Sequence, residues 1–230
     1  MRRGWRTIDR GLLRDAAAIG VAIFAIGVSF GAIAAAAGLP TWAVVAMSVL
    51  VFAGGAQFLA VGLVAAGSPV GAVVGGLLLN ARHLPFGFTV AEVVGSRWPA
   101  RLLGSHLMVD EAVAFALAQP SPQRRRTAYW LAGATVFVVW NVGTGVGIAL
   151  GAAADPAVLG LDAAFPAGLL ALLAPSLGDP AARRVAVVGA GVALLTTPVL
   201  PAGVPVLLAL SGLVVAGRVR SRPGGREEPE

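Results

Sequence analysis

Residues 16–81 contain no Asp, Glu, Lys or Arg. A folded chain in water keeps about a quarter of its residues charged, so a run of this length has no way to clothe a soluble surface. It does contain several apolar segments of the ~20 residues that a helix needs to cross ~30 Å of hydrocarbon. The run ends inside a stretch that is still apolar, Leu77-Leu78-Leu79-Asn80-Ala81-Arg82-His83-Leu84-Pro85-Phe86. An ionisable group at bilayer depth costs roughly 2.5–3.5 kcal/mol on insertion scales, so Arg82 is expected to face a partner, a cavity or a substrate.

The whole chain follows the same pattern: 57% hydrophobic, 12% charged, mean hydropathy +0.85. The period-two alternation of a membrane β-barrel is absent, which leaves helices as the spanning element. The fold class is therefore all-α, a polytopic membrane protein. The net charge of +6 reflects 17 basic residues, all of them Arg, against 11 acidic ones; the arginines gather mainly at Arg2, Arg3, Arg6, Arg10 and Arg14, at Arg124, Arg125 and Arg126, at Arg183 and Arg184, and at Arg218, Arg220, Arg222 and Arg226. Basic clusters flanking apolar spans orient a membrane protein. Without a folded basic face carrying stacking aromatics they do not indicate nucleic acid. The absence of Lys and Cys removes Schiff-base, thiolate and Cys–metal chemistry.

The organisation reads as a basic cytoplasmic tail (1–15), one transmembrane domain (16–217) and a polar C-terminal tail (218–230). Expected spans are 16–37, 42–66, 70–94, 102–118, 127–153 and 161–177, with an apolar segment 185–216 that Pro198, Pro201 and Pro205 divide into one broken span or two short ones. That makes about seven or eight membrane helices. At least two are interrupted, the second at Gly54-Gly55-Ala56-Gln57 and the third from Asn80 to Pro85. The N-terminus is expected inside, with each of the first six spans crossing once. This leaves Arg97 and Arg101 outside, against the positive-inside trend. Gly27, Gly31 and Gly38 echo Gly143, Gly147 and Gly151, a pattern open to an internal repeat and equally to close helix packing.

The polar residues within spans are the candidate site. Gly54 and Gly55 beside Gln57 suggest either an unwound, ligand-binding segment or a tight helix contact. Asn80, Arg82 and His83 form a second break, where Arg82 suits a carboxylate, an ion pair with Asp110 or Glu111, or snorkelling to the interface. His106 and Asp110, four apart, would share a helix face, with Glu111 rotated by about 100°. Such groups build proton relays, although a surface helix with solvated acids fits as well. Asp162 is expected to cap the sixth span. Trp140 and Asn141 are placed to line a cavity or to pack. No hydrolase, metalloprotease or phosphate-loop signature occurs and the His and acid spacing fits no common metal site, so neither an enzyme nor a cofactor is expected.

In order along the chain, Gly27-Val28-Ser29-Phe30-Gly31, Met47-Ser48-Val49-Leu50-Val51-Phe52-Ala53-Gly54-Gly55-Ala56-Gln57-Phe58, Asn80-Ala81-Arg82-His83, Asp110-Glu111-Ala112-Val113-Ala114-Phe115, Trp140-Asn141-Val142-Gly143-Thr144 and Leu159-Gly160-Leu161-Asp162-Ala163-Ala164-Phe165-Pro166 together resemble the AzlC family, the large subunits of branched-chain amino acid exporters. The resemblance implies a multi-pass permease of the bacterial inner membrane that exports valine, leucine and isoleucine, with methionine as a further candidate. It also implies a small membrane partner of the AzlD type and energy from the proton gradient. On that reading Arg82, or the N–H groups at Gly54 and Gly55, hold the substrate carboxylate. Gln57, Asn80 or backbone carbonyls hold the ammonium, His83 belongs to the same group, and Asp110, Glu111 and His106 carry the proton. The competing reading is a non-catalytic scaffold or channel-like subunit whose path forms only with its partner, the glycine ridges serving as partner-binding faces.

Overall fold

The computed structural model describes residues 10–153, 174–200 and 204–213, together with positions 158, 160 and 170. Most of the expected sixth span, the Asp162 cap and both chain ends lie outside the described residues. Among these residues there is no strand. The helices are α1 (Arg10–Ala36), α2 (Thr41–Ala46) running on into a π-helical turn (Met47–Val51), α3 (Gly54–Ala65), α4 (Pro69–Asn80), α5 (His83–Val94), α6 (Trp98–His106), α7 (Asp110–Leu117), α8 (Pro122–Ala153), α9 (Pro180–Thr196) and the short α10 (Val204–Leu208).

Two helix ends follow directly from local chemistry. After α1, Gly38 takes φ +79°, the Leu39 N–H reaches back to the Ala34 carbonyl at 3.1 Å, and Pro40 prevents continuation. After α3 the arrangement repeats, with Gly67 at φ +78°, a 2.8 Å bond from the Ser68 N–H to the Leu63 carbonyl, and Pro69 opening α4. A left-handed glycine satisfies the last carbonyls without a Cβ clash, and the proline marks a fresh start. Asp179 caps α9 by accepting from the Ala181 and Ala182 N–H groups, each at 3.2 Å.

Helices α1 and α8 form the frame. At 27 and 32 residues they span about 40 and 48 Å, and they are the two helices among the described residues long and apolar enough to cross a membrane. Their glycines meet backbone to backbone. A Cβ added at Gly27 would lie 2.8 Å from the Trp140 carbonyl oxygen, and one at Gly143 would lie 2.6 Å from that of Phe24. Gly31 faces the Thr144 carbonyl, Gly147 that of Val28, and Gly151 that of Ala32. Contacts advance in step along both helices, from Gly20 with Thr135 to Gly31 with Ile148, so the two run parallel. The glycine echo is thus a mutual seam, and these ridges are filled by one another instead of facing outward to a partner. The chain from α1 to α8 therefore returns to the end at which it began, the end carrying Arg10, Arg14 and the Arg124–126 cluster, which lies within the first turns of α8 and not in a loop.

The expected fourth span, 102–118, is not one helix. It is the pair α6 and α7, broken at residues 107–109, where Val109 is extended. His106 in the last turn of α6 and Asp110 and Glu111 in the first turn of α7 each suit the local helix dipole. The pair folds back on itself along α8. Gly95, just before α6, faces the Arg126 guanidinium; deeper in, the Gly104 carbonyl accepts from the Tyr129 hydroxyl at 2.7 Å, and Leu107 and Ala112 flank Gly133. After α7, Gln119 receives the Arg124 and Arg125 side chains at 3.4 and 3.0 Å. The hairpin thus enters roughly 10 Å along α8 and returns. Arg97 and Arg101 consequently share an end with Arg124–126, which corrects the expectation that they lie on the opposite side. The described residues of the segment 185–216 also fold back, Gly189 facing Ala209 and Gly212 facing Val185, as two short antiparallel pieces.

Large apolar side chains cover the exterior: Phe88 is 86% exposed and Trp42, Val70, Leu50 and Leu84 are each at least 70% exposed. Soluble monomers rarely show apolar patches of this extent. Inside lies an aromatic core of Phe30, Phe52, Phe58, Tyr129 and Trp140.

Candidate functional site

The second expected span breaks, but two residues before the glycines. A π-helical turn closes with the Phe52 N–H bonded to the Met47 carbonyl at 3.1 Å. Phe52 then takes a left-handed conformation, φ 43° and ψ 55°, strained for a bulky residue and the kind of backbone found at functional positions. Gly54 and Gly55 are not unwound. They are the first two residues of α3, where backbone N–H groups have no partner within the helix.

Gln57 completes this turn. Its Oε1 accepts the Ala53 N–H at 3.0 Å; since only the oxygen can accept, the amide nitrogen is turned the other way. Gln57 is wholly buried, yet Nε2 has no protein partner. With its oxygen committed to the backbone, Gln57 presents a donor, which does not suit the ammonium expected of it. The edge of the Trp140 indole lies against Gly54. Trp140 is 3% exposed and its Nε1 likewise lacks a partner, while its ring stacks on Phe30 at 5.5 Å. Across the π turn, the Ser48 hydroxyl reaches Asn141 Oδ1 at 2.9 Å and the Thr144 hydroxyl at 3.2 Å. These bonds fasten the break to α8. Asn141 is therefore engaged in holding helices together, and it donates its amide to the Phe137 carbonyl at 2.8 Å.

The third expected span divides at Ala81 and Arg82, between α4 and α5, where Pro85 cannot donate to Ala81 and the Leu84 N–H takes that carbonyl at 3.1 Å instead. Arg82 Nη1 pairs with Asp110 Oδ2 at 3.0 Å, the two side chains 37% and 29% exposed. Of the three partners open to Arg82, the structure selects Asp110. Arg82 Nε, Asp110 Oδ1 and Asn80 Oδ1 are buried and unpartnered. His83 Nδ1 lies 3.0 Å from the Asn80 carbonyl, so that nitrogen carries the proton.

His106 and Asp110 do not share a helix face, because α6 stops at His106. The His106 ring packs 5.9 Å from Phe52 and 5.5 Å from Phe137, at the first break. Asp110 lies at the second, with Glu111 beside it in the first turn of α7. The tip of the α6–α7 hairpin thus joins the two breaks, and its four residues reach at most about 14 Å. The site is one neighbourhood with two parts: Gly54, Gly55, Gln57 and His106 in one, and Asn80, Arg82, His83, Asp110 and Glu111 in the other.

Ser48, Phe52 and Thr144 were not among the expected site residues. Two hydroxyls in otherwise apolar helices were the available signal for Ser48 and Thr144. Nothing in the sequence marks a left-handed Phe52.

The family model described as AzlC protein matches residues 18–154, which include every residue of both breaks. No curated protein and no solved structure matches the chain.

Proposed function

The chain belongs to the AzlC family, and from that premise we propose that it is a permease of the bacterial inner membrane exporting valine, leucine and isoleucine, with methionine as a further substrate. Its apolar exterior and membrane-length helices support a transport role in a bilayer. The observation that carries the reading is the pair of helix breaks joined by the tip of one hairpin, with unpartnered polar atoms at both. Backbone at membrane depth is left irregular only where protein or a pathway surrounds it, and transporters place substrate at such breaks. A branched-chain amino acid needs a polar place for its two charges and an apolar one for its side chain, and the breaks adjoin Phe30, Phe58 and Trp140.

In this reading α1, the α4–α5 pair and α8 cross the membrane. The α2–α3 and α6–α7 pairs enter and return, meeting near the middle, and the remaining crossings fall after residue 153. The arginine-rich end faces the cytoplasm by the positive-inside rule, with the N-terminus there. Asp110, with Glu111 and His106 nearby, carries the coupling proton: a proton on Asp110 cancels its charge and loosens Arg82. A small AzlD-type membrane subunit completes the exporter.

Reconstitution tests this. Proteoliposomes loaded with labelled valine, leucine or isoleucine, with and without the small subunit, are expected to release label faster under an imposed proton gradient. Correctly inserted protein that moves none of the three, under either condition, overturns the proposal.

A further inference from the structure

We infer that the start of α3 is a carboxylate site, in which the Gly54 and Gly55 N–H groups, Gln57 Nε2 and Trp140 Nε1 bind the carboxylate of the transported amino acid. This rests on the amino-acid reading above and goes further, by assigning the two charges of the substrate to different groups. Three observations converge. The helix is 12 residues long, so its N-terminus carries both free N–H groups and the positive end of a dipole, a combination that favours anions. Gln57 is wholly buried and its amide is held at this end by the Ala53 bond, leaving Nε2 as an unpartnered donor. Trp140 supplies a second unpartnered buried donor, Nε1, on a ring whose Cη2–Cζ3 edge, away from that nitrogen, meets Gly54. Every free group described here is a donor.

Arg82, the other candidate for the carboxylate, is already neutralised by Asp110. The buried side-chain oxygens without a partner among the described residues, Asn80 Oδ1 and Asp110 Oδ1, lie at the second break and suit the ammonium. Donors alone at the first break, and two acceptors beside the Arg82 Nε donor at the second, give each charge of a zwitterion a place. The Trp140 ring lies at van der Waals distance from the helix end at Gly54, and the Phe30 and Phe58 rings offer the apolar surface for a branched side chain.

The test uses the full-length chain in nanodiscs and the indole ¹H–¹⁵N resonance of Trp140, assigned with Trp140→Phe. Valine and isovalerate, which keeps the carboxylate without the amine, are expected to shift that resonance; isobutylamine, which keeps the amine alone, is not. Gln57→Glu retains an oxygen for the Ala53 N–H and places its own carboxylate at the helix end. It should fold and bind valine and isovalerate about tenfold or more weakly, the loss expected when a hydrogen bond to a charged group is replaced by repulsion. Trp140→Phe keeps the stacked ring and removes only the N–H; calorimetry should show several-fold weaker valine binding. A Trp140 resonance unmoved by saturating valine while efflux proceeds, or wild-type efflux from Gln57→Glu, overturns the assignment. If isovalerate shifts Trp140 but none of the branched-chain amino acids is transported, the carboxylate site stands and the branched-chain substrate reading falls.

Discussion

Removing either member of the Arg82–Asp110 pair leaves a half-buried charge facing its former partner's place. Breaking such a pair costs 3–5 kcal/mol when fully buried; with about a third of each side chain exposed, about 1–3 kcal/mol is expected here. Arg82→Ala and Asp110→Asn should each abolish valine export while the protein still inserts. The double variant Arg82→Leu/Asp110→Leu should recover most of the lost thermal stability without recovering export. Wild-type efflux from the double variant would reduce the pair to a brace between α5 and α7. That Arg82 needed a partner was legible in the sequence, because a charge in an apolar run is costly wherever it sits. The choice of Asp110 over Glu111 was not, since it depends on how α7 is rotated after a break that no residue announces. Nor was the contact of Ser48 with Asn141 and Thr144, which joins positions more than ninety residues apart.

Helix boundaries were legible where backbone chemistry dictates them, as at Gly38-Leu39-Pro40 and Gly67-Ser68-Pro69. They were misread where a break is built from ordinary residues: Leu107-Met108-Val109 contains neither Gly nor Pro, so α6 and α7 read as one helix. The Gly54-Gly55 pair misled in the other direction, by opening a helix at the place where one was expected to be interrupted. The seam between α1 and α8 makes a test at the same scale. At Gly147 an added Cβ would run into the Val28 carbonyl, whereas at Gly145, two residues away on the opposite face of the helix, it meets nothing within 4 Å. Gly147→Ala should lower stability by about 1–3 kcal/mol through overpacking. Gly145→Ala should be neutral or slightly stabilising. Thermal unfolding of the purified protein in detergent compares the two directly.

The all-helical membrane character was plain from the chain's hydropathy, and its sidedness was not. Counting each apolar segment as one crossing sent Arg97 and Arg101 to the wrong end: in the proposed topology the α2–α3 pair before them turns back, and the α6–α7 pair of nine and eight residues does so after them. The native chain has no cysteine, so single-cysteine variants report topology cleanly. Ser96→Cys and Gln123→Cys should react with an impermeant maleimide from one side of the membrane, and Ala37→Cys and Ala66→Cys from the other. Labelling of positions 96 and 123 from opposite sides would refute the hairpin. The glycine seam also constrains how such a molecule can work. Backbones in direct contact leave no layer of side chains to shear, so α1 and α8 turn as a single stator. Under the proposed transport role, alternation between inward and outward access falls to the short helix pairs packed on it, of which α2–α3 is flanked by the left-handed glycines at 38 and 67.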